Sequence, residues 1–136
     1  MTTSLHSKAP TLRALVSWAL ALALAWEFFH AALAKLSGQP GMRAEFDLFG
    51  YPIWFMYVTG AIETLAAAFV LVPRLALTGA TLMVCVMLGA LYSHLMHGQS
   101  AKIELPLVLL IGALLLGLLR IPAPAFPRSA EPPRPA

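Results

Sequence analysis

The sequence predicts an all-α integral membrane protein, a four-helix bundle with both termini in the cytoplasm. Hydrophobic residues make up 60% of its 136 residues and charged residues only 11%. A water-soluble domain of this size usually carries about 25% charged residues, so this chain lacks the polar surface for water. The apolar residues fall into four runs of the length that a membrane helix needs. The basic residues lie mostly between the runs, where they set topology and do not indicate nucleic-acid binding.

The first helix is predicted over residues 13–36, after a polar N-terminal segment, 1–12, expected in the cytoplasm. The run from Ala14 to Ala25 is similar to the apolar region of a signal peptide. We expect no cleavage, because the apolar run continues past Ala25 and further apolar runs come after it. The helix should therefore remain as a signal anchor, ended by turn residues from Ser37 to Gly41.

Three more helices are predicted, at about 53–72, 75–96 and 103–120. Pro52 suits the first turn of the second helix, where a missing N–H costs little. Pro73 and Arg74 form a tight turn, so the second and third helices should be antiparallel neighbours. Residues 42–49 can form a short helix at the membrane surface. The Pro-rich tail, 121–136, is expected to be disordered in the cytoplasm.

The positions of the Lys and Arg residues predict the topology by the positive-inside rule. One side of the predicted bundle carries six of them, Lys8, Arg13, Arg74, Arg120, Arg128 and Arg134. The other side carries three, Lys35, Arg43 and Lys102. The side with more basic residues is expected to face the cytoplasm.

Four ionisable side chains within the apolar runs are candidate residues of a ligand or proton site: Glu27, His30, Glu63 and His94. A charged side chain at the bilayer centre costs about 2.5–3.5 kcal/mol on insertion scales, so these groups should face the bundle interior. Counting 1.5 Å per residue places Glu63 near the midplane and the other three in the outer half. Small residues share the faces of both glutamates, which favours close helix packing there.

This cluster has two interpretations that the sequence leaves open. As a site, it is a polar pocket that opens outward and binds a quinone headgroup, relays protons or holds a metal ion, with Lys35, His97 and Glu104 in support. As a structural device, the same groups pair and hold the helices together. His94 and His97 are a weak metal signal, so we expect no metal site, and no cofactor other than a quinone is indicated. Lys35 itself is interpreted as a snorkelling anchor and not as a counter-ion.

The aromatic residues near the start of the second helix are interpreted as a belt at the headgroup level. They are Tyr51, Trp54, Phe55 and Tyr57, and Trp26 on the first helix is interpreted in the same way. The Gly50-Tyr51-Pro52 turn and this belt should determine where the second helix begins, and so the depth of Glu63.

Several residues also form a spaced pattern: Lys35-Leu36, Phe46, Gly50-Tyr51-Pro52, Gly60, Glu63, Pro73 and Ser93-His94. On this pattern, residues 20–118 resemble the DoxX-like family of small four-helix membrane proteins, part of the wider DoxX/DoxD group. The resemblance implies a four-helix bundle in the bacterial inner membrane. Wider relatives include the membrane part of a thiosulfate:quinone oxidoreductase and a component of a membrane oxidoreductase complex linked to redox stress.

The expected function is that of an accessory or quinone-contacting subunit of a membrane oxidoreductase system, not catalytic on its own. Glu63 would hold a proton, His94 would hydrogen-bond a headgroup, and Glu27 with His30 would complete the pocket. Cys85 is the single cysteine, so no dithiol chemistry is expected. The alternative is a small transporter or permease-like protein, or a non-catalytic membrane scaffold. The expected partners are the lipid bilayer, an oxidoreductase subunit and further copies of the chain in a homo-oligomer, not nucleic acid.

Overall fold

The computed structural model describes residues 11–121, and over that range the protein is all-α. Its five helices are α1 (Leu12–Leu36), α2 (Pro40–Leu48), α3 (Ile53–Leu71), α4 (Ala76–Met96) and α5 (Glu104–Arg120). A 3₁₀ turn, Ser100–Lys102, precedes α5. The short helix α2 occupies the place expected for a surface helix. The predicted N-terminal segment and Pro-rich tail fall almost entirely on residues 1–10 and 122–136, which lie outside the described residues.

Within the described range, three helices are long and apolar enough to cross a membrane: α1, α3 and α4. Helix α5 is also strongly apolar but has only 17 residues. Large apolar side chains remain exposed on the outer faces, among them Leu22, Leu88 and Val108. Exposed apolar surface of this extent suits lipid chains, and the protein is therefore a membrane protein.

Each of the four long helices packs against two others. Helices α1 and α4 each contact both α3 and α5. The contacts are lined by buried alanines, namely Ala21, Ala25, Ala32, Ala66, Ala67, Ala80 and Ala113. Such small residues let helix backbones approach closely, which is the main source of helix association in lipid. Larger side chains, including Phe28, Met83 and Leu116, fill the space between the helices.

The two ends of this helix set differ in chemistry. The end that we call the α2 end carries α2 and the 3₁₀ turn, with Lys35 and Lys102. The opposite end, which we call the arginine end, carries Arg13 at the start of α1, Arg74 in the α3–α4 turn and Arg120 at the end of α5. The buried apolar core occupies the middle and the arginine half, whereas a cavity of about 570 Å³ opens at the α2 end.

Gly79→Ala is expected to lower the stability of the protein by about 1–3 kcal/mol, because the added methyl group overpacks the α3–α4 contact. A Cβ at Gly79 would lie 2.7 Å from the backbone N of Val70 and 2.9 Å from the Cβ of Phe69. Gly89→Ala on the same helix is the matched control, because a Cβ there meets nothing within 4 Å. Thermal unfolding in detergent should show a lower Tm for the first variant only. Equal losses in both would contradict the close approach at Gly79.

Candidate functional site

A cavity of about 570 Å³ lies at the α2 end and is lined by residues from all five helices. Most of its wall is apolar or aromatic, with Met42, Phe46, Phe49, Phe55, Ile62, Val86, Met87 and Leu109 among the lining residues. The polar groups are fewer: His30, Lys35, Gln39, Glu45, Tyr51, Thr59, Glu63, Tyr92, Ser93 and His94. Small-molecule sites typically enclose about 300–1,000 Å³ and combine an apolar wall with a few polar groups, and this cavity has both properties.

Lys35 and Glu63 form an ion pair in the cavity wall. The Lys35 Nζ donates to both carboxylate oxygens of Glu63, at 3.0 Å to Oε1 and 2.9 Å to Oε2. The Lys35 side chain is 12% exposed and that of Glu63 only 3%. The interpretation of Lys35 as a snorkelling anchor is therefore wrong, because its ammonium group turns into the protein and neutralises the buried carboxylate.

The direction of the two helices explains why these side chains meet. Cα–Cβ bonds in an α-helix tilt toward its N-terminus. Lys35 is in the last turn of α1 and so leans back toward the middle of the molecule. Glu63 is on α3, which runs in the opposite direction, and leans toward the α2 end. Long side chains on antiparallel helices thus converge although their Cα atoms lie at different levels.

Gly60, one turn before Glu63, sets the spacing between α1 and α3. A Cβ at Gly60 would lie 3.1 Å from the Cβ of Lys35 and 3.3 Å from the carbonyl oxygen of Ala32. The α3 backbone therefore rests directly on α1 at this level. This contact keeps Lys35 and Glu63 within hydrogen-bonding distance of each other.

His94 is held by contacts at the end of α4. Gly98 has a φ of +69°, in the left-handed region, and it reverses the chain so that the backbone N–H of Gln99 donates to the His94 carbonyl oxygen at 2.8 Å. The Gln99 side chain then lies with its Oε1 3.0 Å from His94 Nδ1. The ring of Phe49 contacts the imidazole edge-on, with centroids 5.2 Å apart. The imidazole, 8% exposed, is thus fixed from two sides in the cavity wall.

Tyr51 joins α4 to the segment that leads into α3. Its hydroxyl lies 2.9 Å from Ser93 Oγ, and the Ser93 hydroxyl also donates to the Gly89 carbonyl oxygen at 2.9 Å. Gly50, with a φ of +70°, makes the turn that brings Tyr51 to this position. The interpretation of Tyr51 as a headgroup-level belt residue is wrong in this respect, because its ring lines the cavity.

Phe55 likewise lines the cavity, whereas Trp26 and Trp54 are 69% and 61% exposed, as a belt requires. Tyr57 is outside the cavity wall and accepts a hydrogen bond from Arg43 Nη2 at 2.8 Å. Aromatic composition alone does not distinguish the aromatic residues that line the cavity from those that lie outside it. The signal that could have done so is the Gly50-Tyr51-Pro52 sequence, which fixes the backbone on both sides of Tyr51.

The structure brings together part of the predicted site. Glu63 and His94 are buried in the cavity wall, and Lys35 and the more exposed His30 line it as well. Glu27 does not line the cavity and is half-buried on α1.

Glu104 is exposed and lies outside the cavity wall. His97 lies outside it too, with Nδ1 2.7 Å from the Ser93 carbonyl oxygen and its ring 5.0 Å from that of Phe49. Tyr51, Ser93 and Gln99 were not among the predicted site residues, although all three contribute hydrogen bonds around His94.

The arrangement suits an apolar molecule with a polar head. An ammonium, a carboxylate, an imidazole and a hydroxyl project from a wall that is otherwise apolar, so a ligand can be oriented by hydrogen bonds and can exchange protons with the protein. Over residues 11–121, no group of three or more His, Cys, Asp or Glu side chains is placed to hold a metal ion.

Comparison with known proteins identifies a family for this chain. The family model described as the DoxX-like family matches residues 19–118, which is most of the described range. Neither the search of curated proteins nor that of solved structures gives a significant match.

Lys35→Met is expected to lower the stability by about 3–5 kcal/mol, because it leaves the Glu63 carboxylate buried without its partner. The double variant Lys35→Met/Glu63→Leu should recover most of the loss, since no buried charge remains. Lys102→Met is the matched control, as it breaks the exposed pair with Glu45, for which about 0–1 kcal/mol is expected.

Thermal or chemical unfolding in detergent measures all three variants. If Lys35→Met and Lys102→Met lose the same stability, or if the double variant is no better than Lys35→Met, the pair is not the buried contact described here.

Proposed function

This chain belongs to the DoxX-like family, and from that premise we propose that it is an accessory, quinone-contacting subunit of a membrane oxidoreductase system in the bacterial inner membrane. One observation carries the proposal: a buried ion pair, Lys35–Glu63, lies in the wall of a cavity that is otherwise mostly apolar and aromatic. A quinone likewise combines polar and apolar parts, since it carries two carbonyl oxygens on an apolar ring.

The polar groups match the needs of a quinone headgroup. Its carbonyl oxygens are acceptors, and the Lys35 ammonium has a third N–H beside the two that Glu63 accepts. His94 Nε2 can donate when the imidazole is protonated, because Nδ1 faces Gln99 Oε1. The Tyr51 hydroxyl donates to Ser93 Oγ, so it offers a ligand an acceptor, which suits the hydroxyl groups of a quinol. The aromatic wall, which includes Phe46, Phe49 and Phe55, provides faces on which a ring can pack. The ligand would thus be held by stacking and oriented by one or two hydrogen bonds.

Proton exchange is the chemical step that this chain can support. Reduction of a quinone to a quinol takes up two electrons and two protons. Glu63 and His94 line the cavity and can accept or release protons, whereas the electrons would come from an oxidoreductase subunit bound to this one. The protein is therefore proposed to assist such a reaction and not to catalyse it alone.

We further propose four membrane spans with both termini in the cytoplasm, α5 being the fourth. Its 17 residues extend about 25 Å, which spans a bilayer that is slightly thinner around the protein. Among the described residues, basic side chains are equally frequent at the two ends. The proposed orientation therefore depends on Lys8, Arg128 and Arg134, which precede α1 or follow α5 in the sequence.

A non-catalytic scaffold is the second candidate, and one observation favours it. Both carboxylate oxygens of Glu63 already accept hydrogen bonds from Lys35, so the pair is complete without a ligand. If the protein is a scaffold, a substitution that fills the cavity should leave its partner complex intact. If it is a quinone-contacting subunit, the same substitution should abolish quinone binding.

Two variants should weaken quinone binding by about tenfold or more. Glu63→Gln removes the charge that holds the Lys35 ammonium in the cavity wall, and so disturbs the donor offered to the ligand. Gly89→Leu adds a side chain to the cavity wall on α4, at a position where a Cβ meets nothing within 4 Å. Glu27→Gln is the matched control, since it removes a carboxylate of an apolar helix that lies outside the cavity wall. Titration of the purified protein with a short-chain ubiquinone gives the three Kd values.

Tight quinone binding by wild type that both cavity variants leave unchanged would contradict the assignment of the site. Absence of saturable quinone binding by wild type would leave the scaffold as the better explanation of the ion pair.

Single cysteines introduced into a Cys85→Ala background should report the topology. Ser100→Cys, in the 3₁₀ turn, is expected to react with a membrane-impermeant maleimide added to intact spheroplasts. Arg74→Cys, in the α3–α4 turn, should react only after the membrane is permeabilised. Both positions are exposed, so access to the reagent differs only by side of the membrane. The reverse labelling pattern would invert the proposed orientation.

A further inference from the structure

A second recess, of about 230 Å³, lies at the arginine end between the start of α1 and the end of α5. Its wall includes Thr11, Arg13, Ser17, Trp18, Leu119 and Arg120. The cavity at the α2 end shares none of these residues. The recess is therefore a separate feature, and any role that it has is independent of the proposed quinone function.

Arg13 is tied to the C-terminal carbonyls of α5. Its Nε and Nη2 donate to the Leu119 carbonyl oxygen at 3.2 and 3.0 Å, and Nη2 also donates to the Ile121 carbonyl oxygen at 2.9 Å. The guanidinium is thereby held in a fixed orientation in the wall of the recess. Its positive charge faces only carbonyl dipoles and no carboxylate of the described residues.

Arg120 approaches the same recess from α5. Its Nε donates to the Ser17 hydroxyl, and its guanidinium carbon lies 4.9 Å from the ring centroid of Trp18. Its Nη2 is buried and has no hydrogen-bond partner among the described residues. A buried donor without an acceptor is costly, most of all when the group is charged. Among the described residues, the recess therefore has a hydrogen-bond donor for which it offers no acceptor.

The recess also carries positive charge that no acidic residue of the described chain balances. Its acidic residues are Glu27, Glu45, Asp47, Glu63 and Glu104, and none of them lines the recess. Lys35 and Lys102 at the α2 end have carboxylate partners, whereas no carboxylate within residues 11–121 forms an ion pair with either recess arginine. Two guanidinium groups at a membrane boundary therefore lack a counter-ion from these residues.

We propose that this recess binds the phosphate group of an anionic ligand, with the headgroup of an anionic phospholipid as its source. Phosphate oxygens are acceptors only and match the planar fork of a guanidinium, which makes arginine the preferred side chain for phosphate. Basic pockets between membrane helices are where anionic lipid headgroups bind. Trp18 lines the recess and is 41% exposed, so a lipid chain can run beside it.

Native mass spectrometry of the full chain, with phosphatidylglycerol and phosphatidylcholine added in equal amounts, tests this proposal. Wild type should retain phosphatidylglycerol preferentially, and Arg120→Gln should lower that retention about fivefold. Arg74→Gln is the matched control, because Arg74 is at the same end but outside the recess. Arg120→Lys keeps the charge without the fork and should give an intermediate value. Tm values confirm that the variants are folded.

A further arm distinguishes the two sources of phosphate. Displacement of the bound phosphatidylglycerol by millimolar inorganic phosphate would assign the recess to free phosphate, and persistence of the lipid would assign it to the headgroup. If Arg74→Gln and Arg120→Gln lose the same retention of phosphatidylglycerol, the proposal is overturned. Lipid retention would then depend on the general surface charge and not on the recess. Equal retention of both lipids by wild type would overturn the proposal as well.

Discussion

The ammonium of Lys35 and the carboxylate of Glu63 face each other within an interior that is otherwise largely apolar, joined by hydrogen bonds of 3.0 and 2.9 Å. Taking both charges out of water costs several kcal/mol per ion, and only good geometry offsets that cost. The pair therefore requires α1 and α3 to be in contact at one level, and the backbone contact at Gly60 provides this. The cavity lies against the pair, and the apolar core is displaced toward the other half of the molecule.

The positions of the helices could be predicted from the sequence, because each apolar run is bounded by glycine, proline or charge. Glu63 and His94 could also be assigned to the interior, since a polar group facing lipid is costly. The contact with Lys35 could not, because the sequence does not show how far α3 is shifted along α1. In the structure α3 begins beyond the end of α1, so residues counted to different depths are neighbours. Glu27 is the opposite case: its predicted depth is close to that of the cavity residues, yet it does not line the cavity.

The segment between α1 and α3 was the least predictable part of the site. Tyr51 fits a headgroup-level belt by composition and residues 42–49 fit a surface helix, yet Phe46, Phe49 and Tyr51 all line the cavity. Composition does not distinguish an aromatic ring at the membrane surface from one that closes an internal space. The difference arises from the turn at Gly50, whose positive φ directs Tyr51 toward Ser93. The same segment contacts His94 through Phe49, which follows α2, so this segment lines the cavity and also helps to fix the imidazole.

The central claim is that the space beside the ion pair is a binding site for a ring with polar oxygens. Photo-crosslinking with an azidoquinone, with peptide mapping of the labelled protein, tests it most directly. We predict labels on the α3 and α4 residues that line the cavity, such as those near Thr59 and Gly89, and their loss when unlabelled quinone competes. Labels spread over lipid-facing positions such as Leu22 and Leu88, unaffected by competition, would contradict the claim.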